Sequence, residues 1–267
     1  MLAGALFAGL IALGPALPAF AGTATTTRRV VEDTLRDGYP PSSNDPSADH
    51  HWYREDTRGG GSADLYKTGE PGSPTTNNPP GFGDGALAMS TNQQTGSKVQ
   101  LLSPGDVYGK ALSDVNALSY WTLQSTESEP PSGGVILPAL QLQIDTNGLS
   151  TAGGFTTLVF EPYQESPTPT PIVPDTWQFW DATSKQWWSS RAIHCEGGTP
   201  DPFDLAAGAG GPPFTTPADV AAACPGAVLL QYGLNIGAGG NPGAVTAADG
   251  LHIGIGVDSF TYDFGPK

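Results

Sequence analysis

Residues 140–148, LQLQIDTNG, decide the fold class. From Leu140 to Asp145 apolar and polar side chains alternate, and Asn147-Gly148 then supplies a turn signal. Such alternation gives a β-strand one buried and one solvated face, whereas an amphipathic helix places apolar residues three or four positions apart. This stretch therefore predicts a strand that packs one face on a core and ends in a tight turn.

The same alternation recurs through the chain from residue 85 onward. Five alternate apolar positions occur at Val228, Leu230, Tyr232, Leu234 and Ile236. Further strands are predicted at 86–90, 98–102, 117–124, 155–161, 176–182, 251–255 and 260–264. The regular spacing of short strands between turn signals is typical of a β-sandwich.

A single short helix is predicted at 217–223. Thr216 is a suitable N-cap, Pro217 suits the first helical position, and Asp219 lies in the first turn. Without long helices between the strands, a parallel α/β sheet is excluded. The sequence predicts an all-β, two-sheet antiparallel jelly-roll-type sandwich with long Gly/Pro-rich loops.

The composition excludes several classes of protein. The 267 residues include 36 glycines and 26 prolines. There are 26 acidic and 11 basic side chains, which gives a net charge of −15. Helical bundles and coiled coils need far more helix-forming residues. A nucleic-acid binder that neutralises phosphates needs a basic surface, so no nucleic-acid partner is expected.

Residues 1–21 have the features of a signal peptide. The segment carries no charged side chain and ends in Ala19-Phe20-Ala21, a small-x-small pattern before Gly22. Pro15 and Pro18 interrupt its apolar run, which argues against a membrane span. We expect a flexible segment at 22–28, a β-sandwich domain at 29–267 and a secreted, extracellular mature protein without a membrane span.

The two cysteines support an oxidising compartment. Cys195 and Cys224 flank a Gly/Pro-rich stretch that has little means of holding itself in place. A disulfide that closes this loop would stabilise the fold by roughly 3–4 kcal/mol. A metal pair or a nucleophilic thiol are the alternatives, and the disulfide is the favoured interpretation.

Several motifs resemble those of a known group of proteins. They include HWYREDTRGGGSADL, GALAMST, ALSYWTL, FTTLVFEP, DTWQFWDA, GAGGNPG and VDSFTYDFGP. Together, over about residues 29–266, they resemble uncharacterised secreted bacterial single-domain β-sandwich (jelly-roll) proteins. That group is similar in architecture to carbohydrate-binding modules and laminin-G-like domains. The resemblance implies a fold and secretion, and it carries no reaction.

Aromatic residues are the main candidates for a binding site. Four tryptophans crowd into residues 177–188, and indole rings stack well on the faces of sugars. The candidate ligand-binding residues are Trp121, Tyr163, Gln178, Trp180, Asp181, Trp187 and Trp188. Packing in the core and a binding platform both remain open, and the platform interpretation predicts that Trp180 and Trp188 are exposed.

No catalytic motif is recognised, so no catalytic residue is proposed. A sandwich hydrolase would need two carboxylates on one face, and Glu161 and Asp181 each stand alone on their predicted strands. Asp84, Asp249 and Asp258 could hold a structural Ca²⁺, or they could be solvated acids. His50 and His51, beside Glu55, offer metal ligands, although an exposed polar loop explains them as well.

Three functional hypotheses follow from these features. The first is a secreted, non-catalytic β-sandwich that binds extracellular polysaccharide or acts at the cell surface. The second is a structural or adhesive surface protein with no small ligand. The third is a polysaccharide-degrading hydrolase. The exposure of the tryptophans discriminates the first hypothesis from the second, and a pair of carboxylates in one groove would favour the third.

Overall fold

The computed structural model describes residues 25–40, 50–103, 105–128, 136–164, 170–237 and 243–266. These residues form 17 strands and one α-helix, α1, at Pro217–Ala223. The strands are β1 (Thr26–Val30), β2 (Leu35–Asp37), β3 (Trp52–Arg58), β4 (Ser62–Lys67), β5 (Gly85–Ser90), β6 (Lys98–Ser103), β7 (Val115–Gln124), β8 (Ala139–Asp145), β9 (Phe155–Phe160), β10 (Gln178–Asp181), β11 (Trp187–Ser189), β12 (Ile193–Cys195), β13 (Phe203–Leu205), β14 (Phe214–Thr215), β15 (Val228–Gly237), β16 (Val245–Ile255) and β17 (Asp258–Phe264).

Two large sheets pack face to face around one main core. Sheet A has the order β1-β17-β16-β5-β4, and β7 pairs with both β16 and β10. Sheet B has the order β14-β11-β9-β8-β15-β6-β3-β2, and β12 and β13 form a separate hairpin. The predicted all-β sandwich is confirmed.

The alternation that predicted β8 also explains how sheet B meets the core. Leu140, Leu142 and Ile144 are fully buried and belong to the main core cluster. Gln141 and Gln143 lie on the opposite, outer face, where Gln143 pairs with Gln231 of β15. Register is fixed because a slip of one residue would turn the leucines outward.

Strand β16 changes partner halfway along one edge. Its first half pairs with β5 and its second half with β17, while β7 runs along the other edge. The change falls at Asp249 and Gly250, where the register with β7 shifts. Gly250 has φ +59, and a Cβ there would lie 2.4 Å from Cζ of Phe82, so this corner requires glycine.

Two features of the predicted topology need correction. The sheets are mixed, because β1 pairs with β17 and β2 with β3 in parallel. Long connections allow these entering strands to run parallel to their neighbours, and alternation carries no information on strand direction. Strand β1 also begins at Thr26, inside the segment expected to be flexible at 22–28. Residues 22–24 and the expected signal peptide lie outside the described residues.

The predicted helix and disulfide are both confirmed. Helix α1 has Thr216 as N-cap, whose hydroxyl oxygen accepts a hydrogen bond from the Asp219 N–H at 3.0 Å. Its C-cap is Cys224, which is bonded to Cys195 with a Cα–Cα distance of 5.4 Å. The bond therefore ties the β12 hairpin to the helix and closes the loop between them. In the described part of the chain, no helix combines the length and apolar character that a membrane crossing requires.

Candidate functional site

The short strand β10 decides which of the predicted aromatic residues reach solvent. Its register pairs Trp180 with Tyr120 and Phe179 with Trp121 on β7. Tyr120 is part of the core, so Trp180 points inward and is only 4% exposed. Its indole N–H donates to Oγ1 of Thr122 at 2.7 Å. The expectation that Trp180 is exposed is wrong. The face of β10 that carries Trp180 packs on the core, and the face that carries Phe179 points outward.

Two further tryptophans of the predicted platform are also covered. Trp187 is fully buried in the main core, and its indole N–H donates to the Ala182 carbonyl at 3.0 Å. Trp177 lies on the outer side of sheet A in a small second cluster with Leu123. Its indole N–H donates to the Asn77 carbonyl at 2.9 Å. These rings stabilise the fold and are not available to a ligand.

An exposed aromatic pair lies instead on the outer face of sheet A. Trp121 and Phe179 face each other across β7 and β10 with ring centroids 5.3 Å apart and planes inclined by 54°. Phe179 is 52% exposed and Trp121 is half-buried. The next outward pair on the same strands is Ser119 and the exposed Asp181. We call these four residues the aromatic patch.

Gln178 does not contribute a free amide to this patch. Its Oε1 accepts the Val173 N–H at 2.8 Å, and its Nε2 donates to the Pro171 carbonyl at 2.8 Å. Both ends of the side chain therefore hold the preceding loop against β10. Of the predicted ligand-binding residues, the structure brings Trp121 and Asp181 together in this patch.

The outer face of sheet B carries a second group of polar side chains. Gln100 and Gln141 are 8% and 6% exposed, and the Gln100 Nε2 donates to Oε1 of Gln141 at 2.6 Å. Strand β15 lies between their two strands, so the side chains lie flat across the sheet. The outer-face residue of β15 beside Gln141 is Gly233, which has no side chain to obstruct them. We call this surface the polar face; its members are Glu55, Gln100, Gln141, Glu161, Gln231 and Asn235.

Glu161, Trp188 and Tyr163 meet at one end of the polar face. The Trp188 indole N–H donates to Oε2 of Glu161 at 2.9 Å, and the Tyr163 hydroxyl is also hydrogen-bonded to that carboxyl. Burial raises the pKa of Glu161, and the two hydrogen bonds partly oppose the rise. Burial raises the pKa of Tyr163 as well, and the Glu161 charge adds to that rise. Trp188, predicted to be exposed, is half-buried.

Glu55 occupies the other end of the polar face. It is 2% exposed, and its Oε1 accepts from Nε2 of Gln231 at 2.6 Å. Burial raises the pKa of Glu55 to about 7; the Gln231 hydrogen bond lowers it, Asp56 raises it and Lys98 lowers it. A buried carboxyl with such a pKa is protonated below neutral pH and can then donate as well as accept.

Neither Glu161 with Asp181 nor Glu55 with Glu161 forms the pair that a sandwich hydrolase needs. Glu161 directly follows β9 in sheet B, whereas Asp181 ends β10 in sheet A. Glu55 and Glu161 share the polar face, but four strand spacings separate them, or roughly 19 Å. Glycoside hydrolysis by paired carboxyls needs a separation of about 5–10 Å. The predicted candidate pair of Glu161 and Asp181 is therefore not assembled.

The predicted calcium ligands are not brought together either. Asp249 is buried where β16 changes partner, Asp258 pairs with Ile255 at the far end of the β16–β17 hairpin, and Asp84 is exposed. His51 Nε2 lies 2.8 Å from a guanidinium nitrogen of Arg36, which does not suit a metal ligand. Within the ranges that the structure describes, no three His, Cys, Asp or Glu side chains are grouped to hold a metal ion.

Sequence reasoning missed Phe179 and most of the polar face. Phe179 was not among the predicted ligand-binding residues. The sequence of a four-residue strand with aromatic residues on both faces does not indicate which face packs on the core. The amides did leave a signal, since Gln100, Gln141, Gln231 and Asn235 all sit in strands. Outward positions of solvated strands commonly carry charged residues or threonine instead.

Comparison with known proteins adds little to this picture. No protein-family model and no curated protein match the chain. A crystal structure of arabinose-bound MgGH51 α-L-arabinofuranosidase is similar over 76% of this chain, with 12% identity and a TM-score of 0.36. The chain corresponds to 23% of the length of that protein. A similarity at this level carries no argument about function.

Proposed function

We propose that the protein is a secreted, non-catalytic β-sandwich that binds extracellular glycan through the aromatic patch. The observation that carries this proposal is the exposed pair of Trp121 and Phe179 on the outer face of sheet A. Core packing is a sufficient reason for a buried tryptophan. A half-exposed phenylalanine beside a tryptophan instead leaves apolar surface in contact with water, as a binding surface does.

The chemistry of the patch suits a sugar surface. Aromatic rings stack on the C–H faces of pyranose rings, and adjacent carboxylate and hydroxyl oxygens accept hydrogen bonds from sugar hydroxyls. Asp181 and Ser119 supply those oxygens directly beside the rings. Because the rings lie on a sheet and not in a deep cleft, the expected ligand is the face of an insoluble polysaccharide.

Extracellular location forms part of the same proposal. The apolar segment 1–21 and the disulfide of Cys195 with Cys224 support it, because disulfides persist in oxidising compartments. Membership of the group of secreted bacterial sandwich proteins also stays a proposal. The alternative, a structural or adhesive surface protein, is favoured by the burial of Trp180 and Trp187, and it predicts no binding to any glycan.

A pull-down with insoluble polysaccharides tests the proposal. Residues 22–267 are mixed with cellulose, chitin and insoluble xylan, and bound protein is quantified for wild type, Trp121→Ala and Phe179→Ala. One stacked ring is worth roughly 1–2 kcal/mol, so each variant should bind about tenfold more weakly. Tyr39→Ala is the matched control, since Tyr39 is also a strongly exposed ring but lies outside the patch. Absence of wild-type binding to every polymer would support the structural alternative.

A further inference from the structure

The outward-facing residues of β7 and β10 form a row that continues past the aromatic patch. Leu123 follows Trp121 on the outer face of β7 and packs against Trp177 in the small second cluster. Beside the end of β7 lies Asp175, whose N–H donates to the Gln124 carbonyl at 2.8 Å. The row therefore runs on from Trp121 for about four strand residues, or roughly 13 Å.

A surface cleft with a volume of about 270 Å³ opens at this end of the row. Three separate parts of the chain line it: the loop 73–76, the end of β7 with the turn that follows, and Asp175. The exposed lining residues are Thr76, Thr126, Glu127 and Asp175, so the polar groups of the cleft are open to solvent. We call it the hydroxyl cleft; its lining includes Ser73, Thr76, Leu123, Thr126, Glu127 and Asp175.

Hydrogen bonds within the walls hold the polar groups of the cleft in place. The Asp175 carboxylate accepts the Thr126 N–H at 2.9 Å with one oxygen and the Thr126 hydroxyl at 2.8 Å with the other. Asp175 has φ +54, a left-handed conformation that is uncommon for a residue with a side chain. The Ser73 hydroxyl donates to the Thr75 carbonyl at 2.7 Å. The cleft is therefore arranged before a ligand arrives, and the Asp175 and Thr126 oxygens keep lone pairs that can accept from a ligand.

We propose that the hydroxyl cleft binds one sugar unit of a neutral glycan chain whose other units stack on the aromatic patch. The inference rests on the proposed function, since the patch must hold the rest of the chain. Buried Leu123 gives the cleft an apolar floor below a polar rim, which suits a sugar ring with an apolar C–H face and hydroxyls at its edge. None of the described lining residues is basic, whereas Glu127 and Asp175 are acidic. Like charges repel, so a chain of uronic acids or sulfated sugars is disfavoured.

A covered step separates the cleft from the patch and makes chain length decisive. The Trp177 indole N–H donates to the Asn77 carbonyl at 2.9 Å, so the loop beside the cleft lies over this ring. A chain that reaches both sites must pass over Asn77, which is exposed. A disaccharide is too short to occupy both ends of a row of roughly 13 Å, whereas a hexasaccharide is long enough. Binding at two linked sites should therefore favour the longer chain.

The test is isothermal titration calorimetry with the disaccharides and hexasaccharides of β-1,4-glucose, β-1,4-N-acetylglucosamine and β-1,4-xylose. We expect wild type to bind at least one hexasaccharide, and to bind the matching disaccharide about tenfold more weakly or not at all. Glu127→Ala should weaken hexasaccharide binding about tenfold and Thr76→Val about fivefold, as expected for the loss of one charged and one neutral hydrogen-bonding group. Both side chains are exposed, so folding should be unaffected. Glu70→Ala is the matched control, because Glu70 is an exposed glutamate of the same connection between β4 and β5 but lies outside the cleft.

Phe179→Ala separates failure of this inference from failure of the proposed function. Unchanged hexasaccharide affinity in Glu127→Ala or Thr76→Val, an equal loss in Glu70→Ala, or equal affinity for disaccharide and hexasaccharide would each overturn the inference. So would wild type that is pulled down by insoluble polymer but binds no hexasaccharide. In each of these cases, weaker polymer binding by Phe179→Ala would show that the proposed function survives. No wild-type binding to any polymer or hexasaccharide would overturn both.

Discussion

The buried carboxyl of Asp249 makes a sharp prediction about stability and pH. Asp249 is fully buried where β16 passes from β5 to β17, and its Oδ1 accepts the backbone N–H groups of Gly250 at 2.7 Å and Phe264 at 2.8 Å. Its Oδ2 has no partner among the described residues. Asp249→Asn keeps the oxygen that accepts both backbone N–H groups. It replaces the other oxygen with an NH₂ group, so the side chain can no longer ionise.

The magnitude follows from the pKa of this carboxyl. Burial raises the pKa of Asp249 from 3.8 to about 8, the hydrogen bonds from Phe264 and Gly250 lower it, and the charge of Asp263 raises it. Between pH 3.8 and about pH 8 the folded protein keeps a proton that the unfolded chain has released. The free energy of unfolding therefore falls as the pH rises through this window. Each pKa unit is worth 1.36 kcal/mol, which gives a loss of roughly 3–6 kcal/mol across the window.

Urea denaturation of wild type and Asp249→Asn from pH 4 to pH 9 measures this effect. The two proteins should be similar near pH 4, and the variant should be more stable by roughly 3–6 kcal/mol near pH 9. Asp258→Asn makes the same charge change at an exposed position of the same hairpin and is the control. The reasoning is refuted if the two stability curves run parallel, or if Asp249→Asn is the less stable protein at high pH.

Three further predictions concern stability. Cys195→Ser/Cys224→Ser should lower the free energy of unfolding by roughly 3–4 kcal/mol in urea denaturation, because the bond closes a loop with a sequence separation of 29; no change would contradict a stabilising role. In wild type, the raised pKa of Glu55 makes the free energy of unfolding fall by about 3 kcal/mol as pH rises from 4.5 to 7. Glu55→Gln should remove this fall, and comparison of urea midpoints at pH 4 and pH 8 for the two proteins checks it. Trp187→Ala should cost about 3–5 kcal/mol because the ring is fully buried, whereas Phe179→Ala should cost well under 1 kcal/mol, both measured by thermal unfolding.

Alternation in the sequence is enough to predict the central strands and their core faces. Leu140, Leu142 and Ile144 could face only one way, because the polar residues between them exclude the other face from the core. Helix α1 was equally determined, since Thr216 and Pro217 specify its start locally. Parallel pairing of β1 with β17 was not predictable, because it depends on residues more than 200 positions apart.

The candidate site shows where local patterns stop being informative. In β10 both faces carry aromatic rings, so the period of two is present but does not tell which face is buried. Trp180 is in the core because its partner Tyr120 is in the core, and that is a property of β7. Likewise Glu55 and Gln231 are far apart in sequence, and only the order of strands in sheet B brings them together.

The central claim is glycan binding through the aromatic patch, and a binding isotherm on insoluble polysaccharide tests it most directly. Wild-type protein and the double variant Trp121→Ala/Phe179→Ala are depleted from solution by increasing amounts of the polymer that wild type binds best. Loss of two stacked rings at roughly 1–2 kcal/mol each predicts about a hundredfold weaker binding, with unfolding stability close to wild type. Equal isotherms for the two proteins, or no wild-type binding to any polymer, would contradict the account.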